Sequence, residues 1–298
     1  MIIRFNKYEL VEEKLNINFG NLINCVLIYF AFFNGLDDTK QIKISEVIKY
    51  TKNFDIKNND KIVKDALNDM KDKVLSDDKI LNKKEVVAYL DSIAIVRKKD
   101  DKISKAMYGL STSNGTKASS FAISLDKSDF GYNCDMIFLD DDADYNEIIH
   151  ELTHVIKNHM KLNTSLDFEK LFNFNKSVRQ QKKDIKVLTG GLFEYSIDTK
   201  KESEFIEYIQ TPSELYSRLT SFKMFLYKRG YLKTPNEDFS PQLIRRITNG
   251  SLYAGMSARD RHLFINSDFL DILLFIDRTK IHMLDQFVQN ISKNNDLA

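Results

Sequence analysis

Tryptophan is absent, and turn-forming residues are scarce: three prolines and ten glycines in 298 residues. Sandwiches and barrels of many short strands draw heavily on such residues. A helix-rich α or α+β fold is therefore expected. Cysteine is equally sparse. Cys25 and Cys134 could close one disulfide, but they build no disulfide framework and no C-x-x-C pair, which fits a reducing compartment. Neither sign of charge dominates. The formal net charge is +1, with lysines and aspartates interleaved, so no nucleic-acid footprint is visible. Long apolar runs are missing too. The most apolar stretch, 22–33, is interrupted by Asn24 and is too short to span a bilayer; it reads as a buried helix closed by Asn34-Gly35. Residues 1–7 lack the apolar core and cleavage site of a signal peptide. The expectation is a cytoplasmic protein with no membrane and no nucleic-acid partner.

With 43% hydrophobic and 29% charged residues, the chain has what a folded core and a solvated surface require. Helical periodicity runs through 43–53, 59–75 and 81–96, so residues 1–100 read as a helical N-terminal lobe, with a short strand at 1–5. A polar break at 98–102 marks the boundary with a second domain, 101–298. There the texture changes. A turn at 111–115 is followed by strand-like Phe121–Leu125, a turn at 126–133 and strand-like 135–139, which could pair as a hairpin. Further helices are expected at 202–210, from Thr211-Pro212 to about Arg229, at 241–248 and at 258–265, with a long, broken one over 269–292.

Between the hairpin and the later helices lies Ile148-Ile149-His150-Glu151-Leu152-Thr153-His154-Val155-Ile156. Asp144 is a suitable N-cap and Glu147 completes a capping-box-like pair, so a helix from Tyr145 to about residue 162 is expected. On a helix turning ~100° per residue, His150 and His154 lie about 40° apart on one face. Two imidazoles so placed can reach one metal ion, and Glu151 between them can take a proton from water on that ion. The bland alternative is two partly buried histidines at a chance spacing. His159 falls about 180° around the helix from His150. It therefore points away from such a metal and reads as a surface histidine or one that supports the site from behind its ligands. Lys157 and Met160 stand where the metzincin extension H-E-x-x-H-x-x-G-x-x-H needs Gly and His, which excludes that pattern.

A catalytic zinc needs a third protein ligand. Glu214, sixty residues after His154, is the favoured choice: it opens a helix, and Arg218 follows at i+4, where the two can pair. Thr211-Pro212-Ser213-Glu214 is also a capping box with Pro at the first helical position, so Glu214 has an ordinary explanation as well. Glu194, Glu204, Glu207, His262 and His282 are weaker alternatives.

His150-Glu-Leu-Thr-His154, followed by Thr211-Pro-Ser-Glu214-Leu-Tyr-Ser-Arg218, resembles the zincin metallopeptidases, and among them the gluzincin-like proteins whose third ligand is a glutamate on a later helix. The resemblance spans about residues 105–230. It implies a zincin-like core with a small antiparallel or mixed sheet beside the motif helix, and Zn2+ held by His150, His154 and Glu214. It further implies Glu151 as general base, and a protein or peptide substrate laid along an edge strand drawn from Phe121–Leu125 or 135–139. Tyr216, Arg218 and His262 are then candidates for holding the oxyanion, and Asp144 for accepting an imidazole N–H, beside its plain capping role. No N-E-x-x-S-D stretch is present. The Glu-Leu-Tyr-Ser-Arg helix is also similar to metallopeptidase-like proteins encoded by tailed phages. A second expectation follows: a catalytically silent zincin-like structural or interaction protein, such as a virion component with protein assembly partners.

Overall fold

A computed structural model of the chain describes residues 18–33, 44–77, 80, 82–99, 101–111, 120–125, 134–159, 172–193, 211–277, 280 and 283. The strand expected at 1–5, the helix at 202–210 and the turns at 112–115 and 126–133 lie outside the described residues. So do Asn34-Gly35, Glu194, Glu204, Glu207 and His282. The chain divides into two compact units, Met1–Leu75 with Asn82–Lys161, and Ser76–Leu81 with Leu162–Ala298.

In the first unit, α1 (Asn18–Ile28) continues as a π-helical turn at Tyr29–Phe33 and is followed by α2 (Ile44–Thr51), α3 (Lys61–Ser76) and α4 (Lys83–Ser92). The single helix expected over 81–96 is instead a helix and a strand. At Ile93 the backbone turns extended (φ −67°, ψ 127°), and Ala94–Arg97 forms β1. Ile93, Ala94, Ile95 and Val96 are all 0% exposed. A strand covered on both faces buries consecutive apolar residues in this way.

After α5 (Lys102–Ser111), β2 (Phe121–Leu125) and β3 (Cys134–Leu139) form the expected antiparallel pair, with Phe121 opposite Phe138 and Leu125 opposite Cys134. β1 lies parallel to β3 on its other side, Ala94 opposite Met136, giving the order β1-β3-β2. β1 thus hydrogen-bonds to a strand some forty residues later in the chain. α1 packs on β1 and β3, and its core holds Leu22, Cys25, Val26, Cys134, Met136 and Phe138. Both cysteines are free thiols within it. Side chains alternate across a strand, so Asp135, Ile137 and Leu139 face the other way. There the motif helix α6 (Tyr145–His159) packs on β2 and β3, with Tyr89 of α4 3.5 Å from the Val155 carbonyl.

The second unit contains α7 (Val178–Leu188), α8 (Pro212–Lys228), α9 (Pro241–Thr248), α10 (Ser251–Ala254), α11 (Ala258–Asn266) and α12 (Phe269–Phe275). α8 runs as expected and ends where Gly230 takes φ 72°. It is buried nearly all round, and Phe222 and Phe225 meet Phe264 and Phe269 in an aromatic cluster with centroids 5.3–5.9 Å apart. Of the long, broken helix expected over 269–292, α12 is the first segment and ends at Phe275; residues 281, 282 and 284–292 lie outside the described residues. Ile276 turns extended and bridges to Phe172. The chain is thus a helix-rich α+β protein with a small mixed sheet beside the motif helix. Among the described residues no helix is long and apolar enough to cross a membrane.

Candidate metal centre

α6 begins on Asp144, whose Oδ1 accepts the backbone N–H of Asn146 (2.8 Å) and of Glu147 (3.0 Å). Asp144 is therefore a helix cap, two orphan donors being satisfied by one carboxylate oxygen. The apolar residues Ile148, Ile149, Leu152, Val155 and Ile156 are buried. Around the helix from them run Glu147, His150, Glu151 and His154, at i, i+3, i+4 and i+7, which is one continuous stripe.

Within that stripe His150 is 9% exposed and Glu151 6% exposed. The Nε2 atoms of His150 and His154 are 3.0 Å apart, with the rings nearly perpendicular at 78°. Two nitrogens bound to one tetrahedral zinc at about 2.0–2.1 Å would stand roughly 3.3 Å from each other. The pair is thus already aimed at a shared point. Glu147 adds a feature that the capping pattern did not foretell: its Oε1 is buried without a hydrogen-bond partner, one turn ahead of the two histidines.

Glu214 lies in the first turn of α8. Thr211 has the extended N-cap backbone (φ −66°, ψ 129°) but makes no side-chain cap hydrogen bond, so that half of the expected capping box is not formed. Arg218 Nε stands 3.9 Å from Glu214 Oε2, an ion-pair distance, and Arg218 Nη1 donates to Asp268 Oδ2. One ligand atom each from His150, His154 and Glu214 lie within 4.8 Å of one another, a group able to hold a metal ion. Two imidazole nitrogens and one carboxylate oxygen are a donor set suited to a borderline cation such as zinc, whereas calcium and magnesium favour all-oxygen sets.

The remaining expected residues fall elsewhere. His159 stacks on Tyr89 at 3.4 Å and 11°, outside the metal group. Burial holds its imidazole below the ordinary range, opposed by the carboxylates of Asp135 and Glu85. Burial likewise pushes the Tyr89 phenol well up, with Asp135 adding to the shift. Tyr216 is 2% exposed, and burial raises its phenol well above the ordinary range, so it stays protonated. His262 is exposed on α11, its Nε2 3.1 Å from Asn266 Nδ2. Asp268, which reaches Arg218 from fifty positions away, had no local sequence signature. The chain matches no protein-family model, no curated protein and no solved structure.

Proposed function

We propose that this chain is a zinc-dependent peptidase in which His150, His154 and Glu214 hold the metal and Glu151 is the general base. The convergence of two imidazole nitrogens and one carboxylate oxygen within 4.8 Å is the observation that supports it most. A zinc ion held by this set supplies Lewis acidity toward the scissile carbonyl and makes water more acidic. Glu151, beside His150 on the same stripe, accepts the proton of the attacking water and returns it to the leaving amine as the C–N bond breaks. β2 lies at the edge of the described sheet and packs against α6. An extended peptide adding to that edge would run alongside the motif helix, with backbone hydrogen bonds fixing its register.

The test is Glu151→Gln, assayed on a fluorogenic peptide library with bound zinc measured in parallel. Hydrolysis falls about a thousandfold, the order expected for a positioned general base, while zinc content is unchanged. A Glu151→Gln protein that cleaves as fast as the parent overturns the reading. A parent that binds zinc and cleaves no peptide favours the catalytically silent interaction protein.

A further inference from the structure

Asp268 is the sole non-glycine residue among those described with a positive φ (56°). It occupies the N-cap position of α12, where an aspartate normally accepts the first free N–H groups, yet its side chain makes no cap hydrogen bond. Its Oδ2 accepts from Arg218 Nη1 instead. A sparsely populated backbone conformation and an unmade cap both accompany this one contact.

Arg218 follows Glu214 by one helical turn, the favourable order for an acid–base pair on a helix. The two side chains are only 13% and 14% exposed, so their attraction is weakly screened. A guanidinium so close to a carboxylate would ordinarily close on it as a bidentate pair and occupy both oxygens. Here Nε stays 3.9 Å away while Nη1 is held by Asp268.

We infer that Asp268 is a positioning residue for the metal centre: by engaging Arg218, it keeps the guanidinium from closing on Glu214 and capturing the oxygen that the metal needs. This rests on Glu214 being the third ligand. Asp268 touches neither metal nor substrate; it acts through Arg218.

The experiment is zinc affinity at neutral pH, by competition with a chromophoric chelator, on the full chain and four variants. Asn has nearly the shape of Asp and tolerates the left-handed conformation. Asp268→Asn therefore removes the charge and keeps the backbone, and Asp268→Gly is a second variant that suits the same φ. Both are expected to bind zinc about tenfold more weakly, as when a ligand's supporting partner is lost. In Asp268→Asn combined with Arg218→Gln, the competitor is gone and much of that affinity returns. Parent-like affinity in both single variants overturns the inference, and so does a double variant as weak as Asp268→Asn. Glu214→Ala separates the two levels. If it leaves affinity unchanged, the ligand assignment fails and the role of Asp268 falls with it; if it weakens binding while the Asp268 variants do not, only the role of Asp268 fails.

Discussion

The Nε2 atoms of His150 and His154 face each other at 3.0 Å across one turn of α6. Two neutral imidazoles at that separation gain at most one hydrogen bond, whereas a shared cation satisfies both lone pairs. Replacing either histidine by alanine is expected to weaken zinc binding by about 100-fold or more, roughly 2.7 kcal/mol. By mass action, zinc raises the thermal midpoint of the parent and shifts either variant far less, which a zinc titration followed by calorimetry reads directly.

Asp144 holds the first turn of α6 through two backbone N–H groups. Asp144→Ala removes both acceptors and a favourable charge at the helix start, and should cost about 1 kcal/mol. Denaturant unfolding measures this. A variant as stable as the parent would show that packing of α6 on the sheet fixes the helix start without the cap.

Gly250 has φ 77°, and a Cβ there would lie 2.0 Å from the Val187 carbonyl oxygen. Gly191 has the same φ with nothing within 4 Å. Both alanine substitutions carry the strain of the left-handed backbone, about 1 kcal/mol, but only Gly250→Ala adds a clash with main chain. Gly250→Ala is expected to lose about 3 kcal/mol, so the difference in unfolding free energy between the two isolates the close approach of the α9–α10 junction to the end of α7.

His159 has a native pKa held low by burial. The unfolded chain therefore binds more protons than the native one between the two pKa values, and stability rises with pH through that interval. The contribution is complete above the unfolded value of about 6.5 and is lost as pH falls through the native value. His159→Phe keeps a ring to stack on Tyr89 and removes the titration. Its stability should vary less than the parent's between about pH 5 and 7. An unchanged profile would show that the stack contributes nothing to acid sensitivity.

Much of the local structure was legible because its causes are local. The hairpin of β2 and β3, the capped start of α6 and the run of α8 from Pro212 follow from alternation, turn residues and caps. Residues 94–97 were misread because their partner is β3: nothing within 81–96 announces a parallel neighbour some forty residues later. At the metal group, the two histidines and the glutamate between them share one helix, and their spacing alone aligned them. Glu214 had to be chosen among several acids on chemical grounds. The pairing of Asp268 with Arg218 depends on how α8 meets the α11–α12 junction, which no periodicity encodes.

The most direct measurement is an anomalous-difference map at the zinc edge from crystals of the parent grown with zinc. The triad predicts one peak about 2.0–2.1 Å from an imidazole nitrogen of both His150 and His154 and about 2.0–2.2 Å from an oxygen of Glu214. No peak at the two histidines, or a peak there with the Glu214 carboxylate paired to Arg218 and away from the ion, would contradict it.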